Sequence, residues 1–167
     1  SFSTMLLTAL SIFDAGSDAR NNMHQLAEHA EAALPTLANQ FLGSQVPSRV
    51  VFVGSGPMAF AARESALKVM ELTAGKVPAL WDSTLGFRHG PKSFVVSGSA
   101  IYVLRSAGYP ATEYEADLVE ELRVQFPEAK TMTIGEKENF STSSVGSAAW
   151  DSVLSVIPAQ LASVIWS

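Results

Sequence analysis

The chain has 167 residues, of which 47% are hydrophobic and 16% charged. That suits one folded domain with a core of its own and excludes a disordered chain. Its net charge of −5 and its lack of cysteine give no basic footprint for nucleic acid and no disulfide or thiolate metal site, and they fit a reducing, cytoplasmic setting.

The N-terminal stretch from Ser1 to Leu7 lacks a basic leader and an initiating methionine, so it reads as part of a longer chain rather than a signal peptide. Phe2, Met5, Leu6, Ala9, Leu10 and Phe13 recur at three- and four-residue steps, which predicts a helix ending near Gly16 with an apolar face that needs a partner. A second helix is predicted from Asp18 to Phe41, with a stripe of Met23, Leu26, Ala27, Ala30, Leu34, Leu37 and Phe41. Pro35 is a candidate bend in it, because proline lacks the backbone donor. His24 and His29 fall on this helix and read as surface residues.

Residues 43–48 read as a linker. The run Val50-Val51-Phe52-Val53 then has the continuous apolar character of a buried parallel strand, closed by Gly54-Ser55-Gly56-Pro57. A helix from Pro57 to about Ala74 follows, then a strand at Val77–Trp81, a loop through Gly90-Pro91 and a strand at Ala100–Leu104. Tyr114, Leu118 and Leu122 mark the buried side of another helix whose solvent face carries Glu113, Asp117, Glu120 and Glu121. Thr131–Ile134 is the next strand, residues 135–146 a serine-rich loop, and the last helix starts near Ser152. The apolar stretch Val153–Trp166 is too short for a bilayer and contains Pro158 and Gln160, so it reads as a buried helix, not a membrane span. The alternation implies a three-layer α/β sandwich with a mostly parallel sheet, whose ligands sit beyond the carboxyl ends of strands, after Val53, Trp81 and Leu104.

Several residues near those ends could carry chemistry. Gly54, Ser55 and Gly56 join strand to helix, where free N–H groups and the helix dipole favour an anion; an ordinary tight turn has the same composition. Glu64, Lys68 and Glu71 share one helical stripe, which is either a solvated face or a carboxylate placed to move a proton between adjacent sugar carbons. His89 is displayed in a loop punctuated by Gly90-Pro91, and it is either structural or a proton carrier for opening a pyranose ring. Ser106 and Thr112 could offer hydroxyls to a ligand or simply form a turn. No metal-ligand spacing and no hydrolase elbow is present, so neither metal nor cofactor is expected.

The segment Val51-Phe52-Val53-Gly54-Ser55-Gly56, the run from Glu64 to Leu72 and Arg88-His89-Gly90-Pro91 resemble, in order and spacing, the sugar isomerase (SIS) domain of glucosamine-6-phosphate synthase. The wording from Gly54 to Lys68, with Phe87 to Lys92, is closer still to bacterial tagatose-6-phosphate ketose/aldose isomerases, also described as galactosamine-6-phosphate deaminases. The resemblance spans most of Arg49 to Trp166 and implies a flavodoxin-like sandwich. It also implies that residues 1–15 end a preceding SIS domain, 16–48 bridge to it, and 49–167 form the second. Glu71 would shuttle a proton between C1 and C2, and His89 would open the ring. Gly54, Ser55, Gly56, Arg88, Ser106 and Thr112 would contact a phosphorylated amino sugar. The missing first domain and a homodimer or larger assembly are the implied partners. SIS folds also serve regulators, so a non-catalytic sugar-phosphate sensor is the competing expectation.

Overall fold

The computed structural model describes residues 1–167. Two helices, α1 (Phe2–Phe13) and α2 (Ala19–Phe41), precede the alternating part. β1 (Val50–Gly54) leads into α3 (Pro57–Leu72), then β2 (Ala79–Ser83), the short α4 (Thr84–Phe87) and a 3₁₀ turn at Pro91–Phe94. β3 (Ala100–Leu104), α5 (Ala111–Gln125), β4 (Lys130–Gly135) and β5 (Phe140–Ser141) follow, and α6 (Ala148–Ser155) and α7 (Ile157–Trp166) close the chain. The five strands form one parallel sheet in the order β2-β1-β3-β4-β5. The predicted sandwich is therefore the one found.

Strand alternation divides the core between the two faces of this sheet. Val50, Phe52, Tyr102 and Ile134 point to the face covered by α2, α3 and α7, where they meet Leu37, Phe41, Ala62, Val69 and Ala159. Val51, Val53, Ile101 and Val103 point to the other face, against Phe87 and the α5 residues Leu118, Val119 and Leu122. On the first face Phe52 stacks on Tyr102 and Phe41 on Phe140. Gly54 is obligatory at the end of β1: a Cβ there would lie 2.6 Å from the backbone of Met58, so only glycine lets α3 start so close to the strand.

Five expectations shift. β2 begins at Ala79 rather than Val77, because Pro78 has no N–H to give the ladder, although its carbonyl still accepts from Val50. The C-terminal helix is two helices, α7 restarting with Pro158 in its first turn, where a missing donor costs nothing. The serine-rich loop contains β5, whose Phe140 is buried. In α5 the inward side is Leu118, Leu122 and, unexpectedly, Glu115, which is 0% exposed, whereas Tyr114 is turned outward. α2 runs without interruption through Pro35, and its stripe is only partly covered: Leu26, Leu37 and Phe41 are buried while Met23 and Leu34 are exposed.

Residues 148–166 are apolar and long enough to pass for a membrane span, but 61% of that window is buried inside the fold against α2 and α3, as befits core helices. α1 is docked through the cluster of Leu26, Trp150 and Leu154, and the Trp150 indole N–H donates to Asp14 Oδ2 at 2.9 Å.

Candidate active site

At the carboxyl ends of β3, β4 and β5 lies a polar cleft of about 240 Å³, which is where a parallel sheet places its ligands. Its floor and walls include Arg105, Ser106, Thr112, Glu138, Thr142 and Asp151, with Met58 reaching in from the start of α3. Arg105 is the first residue after the buried strand β3. Its guanidinium donates to Glu138 Oε1 at 3.2 Å and to the carbonyl of Thr112 at 3.2 Å. Behind Ser106 sits Glu115: one carboxylate oxygen accepts the Ser106 N–H and the other the Ser106 hydroxyl, both at 2.8 Å. Asp151 braces the facing loop in the same way, accepting from Ser144 Oγ at 2.6 Å and from the Val145 N–H at 2.8 Å.

Ser106 and Thr112 both line the cleft, but both donors of Ser106 are already committed to Glu115. Sequence reasoning missed Arg105, Glu115 and Asp151. Arg105 carried a legible signal, since a charge placed directly after a buried strand, at its carboxyl end, is costly unless used. Gly54, Ser55 and Gly56 do not line the cleft; the Ser55 hydroxyl turns sideways to Thr84 Oγ1 at 2.7 Å. The larger hollow of the molecule, about 490 Å³, lies at the amino ends of β3 and β4 between Phe41, Tyr102, Phe140 and Trp166, away from the strand ends that gather polar groups.

Glu71 lies in the last turn of α3, its side chain exposed. Lys68 Nζ sits 2.5 Å from Glu71 Oε2 and 3.5 Å from Glu64 Oε1. The hydrogen bond that Lys68 donates to Glu71, with help from the charge of Glu64, holds the Lys68 proton more firmly than usual, against the opposing pull of burial. Lysine in turn fixes the Glu71 carboxylate in one position. His89 is exposed at the far end of β2, in the loop that carries Arg88 and Lys92. Both cations are anchored to Glu121 on α5, Arg88 through Nε at 3.3 Å and Lys92 by direct contact. The Lys92 hydrogen bond is the main reason that Glu121 holds its proton less readily than an ordinary glutamate, and Arg88 adds to it. Arg88 is therefore engaged with α5.

The two proposed proton carriers do not converge within one copy of the chain. α3 covers the face of Phe52 and Tyr102, whereas Phe87 and the loop after it pack on the face of Val51 and Val53. Glu71 also stands fourteen residues along α3 from Pro57, a rise of about 21 Å away from the strand ends near which His89 lies. A sheet separates them, and no cavity of the chain includes both.

A five-stranded parallel sheet with helices on both faces and a polar cleft over its carboxyl edge defines a three-layer α/β sandwich domain of the doubly wound type. The solved structures agree. The chain superposes on tagatose-6-phosphate ketose/aldose isomerase from Escherichia coli with a TM-score of 0.85 at 30% identity, over 98% of this chain and 48% of that one. A putative enzyme of the same name from Clostridium novyi gives 0.85 at 32% identity, over 99% and 47%. Among curated proteins, D-galactosamine-6-phosphate deaminase AgaS of Shewanella sp. is 41% identical over 138 residues, 82% of this chain and 35% of that protein. The putative AgaS of Streptomyces coelicolor is 39% identical over 155 residues, 90% and 39%. No family model matches. The chain belongs to the sugar isomerase (SIS) domain family, and it spans about a third of the length of the curated relatives it matches.

Proposed function

We propose that the chain is the second of two SIS domains of a cytoplasmic enzyme acting on an amino-sugar phosphate, converting galactosamine-6-phosphate to tagatose-6-phosphate and ammonia or interconverting the related aldose and ketose phosphates. The observation that carries this reading is Glu71 clamped by Lys68 on a helix whose sequence, with Arg88-His89-Gly90-Pro91, resembles that group. Relatives named for these two activities support it.

In this scheme His89 carries a proton from the C1 hydroxyl to the ring oxygen as the C1–O5 bond breaks and the pyranose opens to the aldehyde. Glu71 takes the proton from C2, and the electron pair forms the C1=C2 bond of an enolamine as the C1 oxygen is protonated. Return of the proton to C1 leaves an iminium at C2, which one water hydrolyses to the ketone with loss of ammonia. With a hydroxyl at C2 the same two transfers pass through an enediol and end as simple isomerisation. Lys68 keeps the carboxylate aimed, so positioning contributes alongside basicity.

Since one sugar cannot touch both faces of a sheet, the Glu71 and His89 that share a substrate come from different copies of the chain, with the companion domain holding the phosphate. Glu71→Gln and His89→Asn, assayed in the assembled protein for ammonia and ketose phosphate, should each lower turnover about 10²- to 10⁴-fold. Undiminished turnover in both would reject the assignment.

A further inference from the structure

The imidazole of His89 is exposed and takes no part in the hydrogen bonds of the chain, so its place is set by the backbone on either side of it. Before it, Phe87 is fully buried in one apolar cluster with Leu118 and Leu122 of α5. Around it the loop is tied by charge. We propose that Glu121 is the positioning residue of the ring-opening step: it clamps the His89 loop to α5 through Lys92 and Arg88, and so holds the imidazole where a pyranose can use it. The proposal rests on the reading of His89 as the ring-opening group and deepens it.

Glu121 differs from its neighbours. Of the four carboxylates that the period of α5 assigns to solvent, Glu113 and Asp117 enter no ion pair and Glu120 pairs with Arg123 of the same helix; Glu121 alone reaches another element. Lys92 Nζ donates directly to Glu121 Oε1 and also to Gln125 Oε1, one turn on, at 3.2 Å. The Lys92 side chain is only 13% exposed, so this pair is sheltered from the screening that weakens ion pairs on an open surface. Arg88 Nε lies 3.3 Å from Glu121 Oε2, near enough for attraction but not aligned for a hydrogen bond, and its Nη2 donates to the Tyr114 carbonyl at 3.5 Å. The two cations bracket His89 in the chain, so a single carboxylate fixes the loop on both sides of the imidazole. The support is firm, because Leu118 and Leu122 pin this stretch of α5 to the sheet. Displacing a reacting group by about 1 Å can cost about 10²-fold in rate, so a clamp that adds little to folding still governs turnover.

The test separates ring opening from the proton transfer that follows it. The 4,5-dideoxy analogue of galactosamine-6-phosphate has no hydroxyl able to close a furanose or a pyranose, so it is an open chain from the start. In the assembled protein, Glu121→Gln should lower turnover of galactosamine-6-phosphate about 10- to 100-fold and leave turnover of the analogue close to the parental value. Lys92→Met should do the same, and the double variant should be no slower than either single one, because both changes open one clamp. Equal losses on the two substrates would make Glu121 a residue of the fold alone. An undiminished rate on galactosamine-6-phosphate, or losses that multiply in the double variant, would show that the clamp does not act on the ring step; each of these results overturns the proposal. His89→Asn, measured alongside, keeps the two readings apart. Turnover of galactosamine-6-phosphate that survives it faults the role of His89 and this inference with it, whereas turnover lost with His89→Asn but kept with Glu121→Gln faults the clamp alone.

Discussion

Replacing Glu115 tests how the β3–α5 loop is built. The carboxylate is 0% exposed and accepts two hydrogen bonds from Ser106 at 2.8 Å. Bonds to a charged acceptor are worth about 1.5–3 kcal/mol each, so Glu115→Ala removes about 3–6 kcal/mol of gross interaction. Two effects reduce this. Ser106 borders the cleft, so water replaces part of what is lost, and removing a buried charge relieves its desolvation penalty. The expected net loss is about 2–3 kcal/mol. Glu115→Gln should cost about 1 kcal/mol or less, because the amide oxygen can still accept the Ser106 N–H while the amide nitrogen donates to a rotated Ser106 hydroxyl. Urea unfolding followed by tryptophan fluorescence measures both. The reasoning fails if glutamine costs as much as alanine, which would mean that charge rather than hydrogen bonding holds the loop, or if alanine stabilises the fold.

Other outcomes follow from the same contacts. The Trp150 indole, with smaller help from Ser17 and the Gly16 backbone, holds the Asp14 carboxyl below its ordinary value of 3.8. A depressed carboxylate contributes stability above that value and loses it as pH falls through the lower folded one. Asp14→Asn, which keeps an acceptor for Trp150, should therefore flatten the acid limb of thermal stability measured from about pH 5 to about pH 2. Trp150→Ala should cost about 3–5 kcal/mol in urea unfolding, since this side chain is fully buried at the junction of α1, α2 and α6. Glu121→Gln removes the shared anchor of Arg88 and Lys92, and hydrogen exchange should quicken at residues 88–92 while β1 and β3 stay protected. Lys68→Met should lower turnover of the assembled protein with little change in KM, as expected of a residue that only aims Glu71.

Most of the architecture was legible in the sequence because it rests on period and punctuation: continuous apolar strands at Val50–Val53 and Ala100–Leu104, and a glycine pair before Pro57. The boundaries that moved did so for backbone reasons local to Pro78 and Pro158. Glu115 escaped because α5 reads as amphipathic, and an inward glutamate near its start makes sense only once the donors of Ser106 are seen beside it. The same limit applies to Glu71 and His89: helical spacing put Glu64, Lys68 and Glu71 on one stripe correctly, but the face and the end of the sheet occupied by each proton carrier depend on strand order, which spacing does not encode.

Mixing inactive subunits probes the catalytic account most directly. Glu71→Gln and His89→Asn versions of the assembled protein, dissociated and reassociated in equal amounts, should recover about a quarter of parental ammonia release, since half of the dimers are mixed and each has one intact site out of two. If each variant is inactive and the mixture stays so, the two side chains do not meet across copies, and the placement of catalysis between chains is wrong.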